Sequence, residues 1–221
     1  GGAVYDTRGF FRGNWRALWR DDLRPAGTRS LSMTRLGEAL LEVDDPPVAS
    51  MLIYASNPLA SVPDQAKARR GLAREDLFTI VVENFPTDTA DYADLLLPGT
   101  MQTEHADLHY SYGHIYLNWN EPAVAPPGEC LPHTEIFRRL AHRLGVTEPC
   151  VYDSDDDLAR AVLGSEDPAL IGITLERLKR DGWARLNVPT PFVPFAEGFP
   201  TPSGKLQFVS PRMVEAGGDY G

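Results

Sequence analysis

The order of apolar and polar residues predicts strands alternating with helices over the first 130 residues. Met51-Leu52-Ile53-Tyr54-Ala55 is a short continuous apolar run, the pattern of a strand buried on both faces. It stops at Ser56-Asn57-Pro58. Ser61, followed by Pro63 and Asp64, reads as the N-cap of a helix over 61–73. Phe78-Thr79-Ile80-Val81-Val82 repeats the buried-strand pattern and ends at Glu83-Asn84. Thr87 then reads as the cap of a short helix over 87–93, and Leu95-Leu96-Leu97 as a third strand stopped by Pro98. Strand–helix–strand–helix–strand at this spacing predicts right-handed crossovers and a parallel sheet. The expected fold class is α/β: an incomplete three-layer, Rossmann-like parallel sheet with strands near 50–55, 78–83 and 95–97, and a mainly helical C-terminal segment.

The flanks are less regular. Residues 1–28 are rich in Gly, Arg and aromatics and sustain neither period, which predicts an ordered loop with a short helix around 15–19. Leu36, Leu40 and Leu41 form a helical stripe that Asp44-Asp45-Pro46-Pro47 ends. His114-Ile115-Tyr116-Leu117-Asn118-Trp119 alternates like a further strand. Helices follow over 134–144, 154–163 (Ser154 with Asp157 in a capping pattern) and 174–180. A Pro-rich stretch then leads to Lys205-Leu206-Gln207-Phe208-Val209, which reads as a strand. A boundary near 128–131 divides an α/β domain, 1–130, from a segment, 131–221, expected to pack as part of another domain of a longer protein.

Composition narrows the classes. With 43% hydrophobic residues in 221, the chain is globular rather than disordered. A formal charge of −10 argues against a nucleic-acid partner, which calls for a basic face. Two cysteines, Cys130 and Cys150, are too few for a disulfide framework or an iron–sulfur cluster and read as free thiols. No apolar run approaches the roughly 20 residues that span a bilayer, so no membrane insertion is expected. Gly1-Gly2-Ala3-Val4-Tyr5 is no basic-then-apolar leader, which gives a cytoplasmic expectation.

Ligands of open parallel sheets bind beyond the carboxyl ends of the strands. Here those ends are Ser56-Asn57-Pro58, Glu83-Asn84-Phe85-Pro86-Thr87 and Pro98-Gly99-Thr100. The first two lead into helix starts, whose free N–H groups suit an anion. Asn57 and Ser61 can donate to a phosphate oxygen or cap a helix. Glu83 can accept from a ribose hydroxyl or a guanine edge. Plainer readings stand beside these: Ser61 and Thr87 as N-caps, Asn57 as a turn former before Pro58, Glu83 as a solvated strand end.

In sequence and order these segments resemble the molybdopterin oxidoreductases of the dimethyl sulfoxide reductase and formate dehydrogenase class. Ile53-Tyr54-Ala55-Ser56-Asn57-Pro58 resembles their strand ending in Gly-x-Asn-Pro or Gly-x-Asp-Pro. Thr87-Asp88-Thr89-Ala90, with Ala93-Asp94-Leu95-Leu96-Leu97-Pro98 and then Glu104, resembles their "TxTAxxADIVLP" run. Thr201-Pro202-Ser203-Gly204-Lys205-Leu206-Gln207-Phe208 resembles their "TPSGKxxF" strand. The resemblance implies a redox enzyme holding two molybdopterin guanine dinucleotides around one molybdenum or tungsten. It places Asn57 and Ser61, with Ser56 beside them, on dinucleotide-contacting positions, Glu83 and Thr87 on the next strand end, and Gly2, with Ala3 and Asp6, at the edge of the pterin site. Ala55 stands where the family usually has Gly, Glu83 where Asp or Gln is frequent, and Gly99-Thr100 where Ala-Thr-Thr is common. Members of the class carry their metal ligand and any iron–sulfur cluster in earlier segments, and a closing barrel-like domain later. The resemblance therefore implies an internal piece: one wall of the cofactor site, with no catalytic residue and no metal ligand, inactive and without bound cofactor when alone. Its partners are then the remaining domains of its own longer chain, and an isolated piece is expected to self-associate. The rival reading is a non-catalytic subunit like the large subunit of NADH–quinone oxidoreductase; the intact Asn57-Pro58-x-x-Ser61 loop favours the enzyme.

Other constellations have plainer explanations. His105 and His109 are four apart, but no helix pattern surrounds them, so a loop is expected rather than a metal site. Asp153-Ser154-Asp155-Asp156-Asp157 fits a helix start better than a calcium loop. Arg69-Arg70 and Arg138-Arg139 read as solvated helix faces.

Overall fold

A computed structural model describes residues 12–110, 113–193, 195–196, 198–199, 201–209 and 215. The three apolar runs form β1 (Ser50–Tyr54), β2 (Phe78–Glu83) and β3 (Leu95–Pro98), paired in the order β1-β2-β3. Both pairings are parallel, with Ile53 opposite Val81 and Val82 opposite Leu97. This is the expected α/β architecture. Two helices, α2 (Leu36–Leu41) and α4 (Gln65–Leu72), cover one face, where Leu40, Ile53, Leu59, Ala68, Leu72, Leu77 and Val81 form a core. α2 and α4 approach with backbones nearly touching, because Gly37 and Gly71 carry no side chain between them.

The opposite face is only partly covered. Tyr54 packs edge-on against His133 and Phe137 of α5 (His133–Leu144), whereas Leu52, Phe78 and Leu95 are exposed. Among the described residues the third layer is thus present at one end of the sheet and leaves the rest uncovered.

Local chemistry corrects two predicted helices. In place of one helix over 61–73 there are α3 (Pro58–Ser61) and α4, with Asp64 as the N-cap of α4, its carboxylate accepting from the Lys67 amide. Pro63 disfavours helical geometry at the residue before it, and Val62 is extended, at ψ 151°. Ser61 therefore ends a helix instead of capping one. The helix expected over 87–93 is a single 3-10 turn, Ala90–Tyr92, preceded by Thr89; Thr87 caps nothing.

A second sheet follows. β4 (Asp107–His109), β5 (Tyr116–Asn120) and β6 (Trp183–Arg185) are antiparallel, with Leu108 opposite Trp119 and Leu117 opposite Ala184. Two helices, α6 (Asp155–Leu163) and α7 (Leu175–Asp181), contribute to its core with Ala159, Leu163, Leu175 and Leu178, and Trp15, just before the short α1 (Arg16–Trp19), packs at its margin. The predicted capping box closes α6: the Ser154 hydroxyl accepts from the Asp157 amide, and the Asp157 carboxylate from the Ser154 amide. This ladder and core run across the division expected near 128–131. The segment around His105–His109, expected as a loop, contributes β4. Residues 205–209 form no strand, and Phe208 is 92% exposed; an alternating pattern needs a neighbouring strand to take its hydrogen bonds, and the described residues offer none here.

Candidate functional site

The carboxyl ends of β1, β2 and β3 are tied to one another by side chains. After β1 the chain turns through Ala55, at φ +51°, a left-handed conformation that glycine adopts without strain. This accounts for the Gly usual at the matching family position. Ala55→Gly is expected to raise stability by about 0.5–1 kcal/mol, the cost of αL for Ala less glycine's extra chain entropy; a thermal melt checks it.

Asn57 begins α3 without capping it by its own side chain. Its Oδ1 instead accepts from the hydroxyl of Thr89, at 2.6 Å, and the same hydroxyl oxygen accepts from the Leu59 amide at 3.1 Å. Thr89 is completely buried, so the β1–α3 loop and the β2–β3 connection form one unit. The Ser61 hydroxyl donates to the Asn57 carbonyl at 2.9 Å. Ser56 is exposed on the other side of the loop, in the lining of an apolar cavity along the β1 edge with Leu52, Tyr54 and Pro58.

At the end of β2, the Glu83 carboxylate accepts from the Asn84 amide at 2.7 Å, and the Glu83 carbonyl from the Gly99 amide at 3.0 Å. Asn84 Nδ2 donates to the Thr100 carbonyl at 2.7 Å. The Thr87 hydroxyl is buried with no hydrogen-bond partner. Gly99 leaves room for His133: a Cβ there would lie 2.7 Å from His133 Nε2. The departure from Ala at this position is thus coupled to the His133 ring, whose buried Nε2 has no partner. Burial lowers the His133 pKa, with nearby His105 acting the same way and Glu83 opposing them. His105 and His133 also line a cavity of about 300 Å³, with Trp15, Tyr110 and Trp119, bordered by β4 and by the starts of α5 and α6.

The structure therefore brings Asn57 and Ser61 together on one loop, joined through Thr89 to the connection that carries Thr87, with Glu83 at the adjacent strand end. Gly2, like Ala3 and Asp6, lies outside the described residues. Thr89, Asn84 and His133 were not singled out from sequence as site residues; for Thr89 the signal was its place in the "TxTAxxADIVLP" run. The Asp of that run is structural: the Asp94 carboxylate accepts from the Thr79 amide at 2.7 Å, at the opposite end of the strands. Among the described residues no group of three or more His, Cys, Asp or Glu could hold a metal ion. His105 Nδ1 pairs with the Thr100 hydroxyl at 2.9 Å, and Arg138, read as a solvated face, is half-buried against Asp155.

Comparisons with known proteins agree on one family. Residues 38–143 match the model of the molybdopterin oxidoreductases. The chain is 40% identical over 219 residues to the probable oxidoreductase YoaE of Bacillus subtilis (strain 168), covering 98% of this chain and 32% of that protein. It is 29% identical over 164 residues to the F420-dependent formate dehydrogenase subunit alpha of Methanocaldococcus jannaschii, covering 74% of this chain and 23% of that one. The solved structure of acetylene hydratase from Pelobacter acetylenicus matches with a TM-score of 0.63 at 27% identity, over 84% of this chain and 25% of that one. The chain thus spans a third or less of the length of these relatives.

Proposed function

The chain belongs to the molybdopterin oxidoreductase family, and on that premise we propose that it forms one wall of the dinucleotide part of a molybdopterin guanine dinucleotide site in a longer oxidoreductase. Asn57 is the observation that carries this reading. Its Oδ1 is held by Thr89, and among the described residues no group accepts from the two N–H bonds of its amide, which is not enclosed. Fixed, uncommitted donors at a strand end suit a phosphate or carbonyl oxygen. Glu83 offers an acceptor to a ribose hydroxyl or guanine N–H, and its charge keeps it off the phosphates. Thr87 stands behind them with a hydroxyl that has no partner. Ser61 fits less directly, since its proton goes to the Asn57 carbonyl and leaves an acceptor. Ser56 faces the outer side of the loop, and Gly2 is proposed at the pterin edge on the resemblance alone.

When bound, the metal–pterin group supplies the redox chemistry, and the protein orients it. None of the residues proposed here is a metal ligand or reacts with substrate; the ligand to molybdenum or tungsten, any iron–sulfur cluster and the substrate funnel belong to other segments of the longer protein. The 221-residue chain alone, with one wall of the site, then retains no cofactor and no activity. The exposed sheet face bearing Leu52, Phe78 and Leu95 is where the rest of the longer protein packs; on the isolated piece it favours self-association. Among the described residues no helix is long and apolar enough to cross a membrane; a cytoplasmic location is part of the same proposal. The NADH–quinone reading gains nothing from the relatives above.

Asn57→Ala in the full-length protein is expected to lower retention of pterin and guanine nucleotide by about tenfold, the effect of losing hydrogen bonds to a charged group. Pterin fluorescence and guanine content per protein after extraction read it out. Unchanged retention would remove Asn57 from the site.

A further inference from the structure

We propose that Thr89 is the positioning residue of this site: it takes over the capping of α3 and anchors the Asn57 Oδ1, so that the two N–H donors of Asn57 are held in the direction of the cofactor. The inference rests on Asn57 being a cofactor-binding residue. An Asn in the N-cap position ordinarily bends its side-chain oxygen back onto the second or third amide of its helix. Here the second amide, Leu59, is already satisfied by the Thr89 hydroxyl oxygen. Asn57 is thereby released from its default role.

The same contact settles which way the amide faces. A hydroxyl has one proton and two lone pairs. One lone pair of Thr89 takes the Leu59 N–H, and its proton goes to Asn57. Rotating the amide by half a turn would set its NH₂ against Thr89 and leave the hydroxyl proton without an acceptor at a completely buried position, which is unfavourable. Oδ1 is therefore held inward, and both N–H donors point away from Thr89. Donors fixed in this way suit the diphosphate oxygens of a dinucleotide, because they need no reorganisation on binding. Without the Thr89 hydroxyl, the Asn57 Oδ1 turns to the Leu59 amide instead, and the rotation that brings it there swings the two N–H donors out of the direction of the site.

The test compares Thr89→Val, Thr89→Ser, Asn57→Ala and the Thr89→Val/Asn57→Ala double variant in the full-length protein. Pterin and guanine nucleotide retained per protein are measured beside each variant's melting temperature. Thr89→Val is expected to lose about tenfold in retention, like Asn57→Ala, and the double variant no more than either, since both act through one contact. Thr89→Ser, which keeps the hydroxyl, retains cofactor within about twofold of the parent. Additive losses in the double variant overturn the proposal, because Thr89 then acts independently of Asn57. So does a loss of about tenfold in Thr89→Ser at an unchanged melting temperature, a result that stands even if Thr89→Val fails to fold. Full retention in Thr89→Val beside loss in Asn57→Ala overturns this inference and leaves the cofactor reading intact. Full retention in Asn57→Ala overturns both.

Discussion

Gly37→Ala is expected to destabilise the parallel-sheet unit, although the same change in an exposed helix stabilises it by about 1 kcal/mol. The sign reverses because of what the new methyl meets. A Cβ at Gly37 would collide with Lys67 Cβ and lie 2.7 Å from the Ala68 amide nitrogen and 2.8 Å from the Lys67 carbonyl carbon. Two of these atoms are backbone and cannot rotate aside, so α2 and α4 must separate. Separation opens the packing of Leu40 and Leu72 over Ile53 and Val81. Overpacking of this kind costs about 1–3 kcal/mol, a fall in melting temperature of roughly 2–4 °C per kcal/mol for a chain this long. Gly71→Ala meets Leu40 Cβ at 2.6 Å from the other side and should act in the same direction. A melt of Gly37→Ala at or above the parent temperature would mean that the two helices do not approach as described.

Leu178→Ala is expected to cost about 2–5 kcal/mol, the range for a large-to-small change in a close-packed core. Leu178 is completely buried in α7 and shares its core with Leu117, Leu175 and Ala184. The consequence reaches beyond α7. The Trp119 amide donates to the Gly182 carbonyl at 2.9 Å, and β6 is hydrogen-bonded directly to β5. Amide exchange should therefore accelerate at Leu117 and Trp119 as well as along α7, while Ile53 and Val81 keep their protection. Faster exchange confined to residues beyond 131 would show that β5 is held by something other than the helices of the C-terminal segment.

Much of this was legible because it is written locally. The apolar runs at 51–54, 78–82 and 95–97 are long enough and pure enough to specify buried strands, and their spacing leaves only a parallel arrangement. Ser154 and Asp157 cap α6 as their spacing predicts, because both partners lie within one turn. The split between α3 and α4 was also present in the chain: Pro63 restricts Val62, and Asp64 is the better cap. Its cue was outweighed by the attraction of Ser61 as a cap. The strand expected at 205–209 shows the reverse case, a strand-like period with no partner to complete it.

What the sequence by itself determined is therefore the family, the parallel sheet and the loops that follow its strands. The tertiary structure alone decided which polar groups in those loops are already satisfied. Asn57 and Thr89 are 32 residues apart, and nothing in either neighbourhood shows that their side chains are hydrogen-bonded to each other. The antiparallel pairing of 116–120 with 183–185, the room that Gly99 makes for His133 and the closeness of Gly37 to α4 are of the same kind. Each depends on a partner brought in from far along the chain, and the pattern around a residue records its own burial and turn preference but not the identity of the atom that will face it.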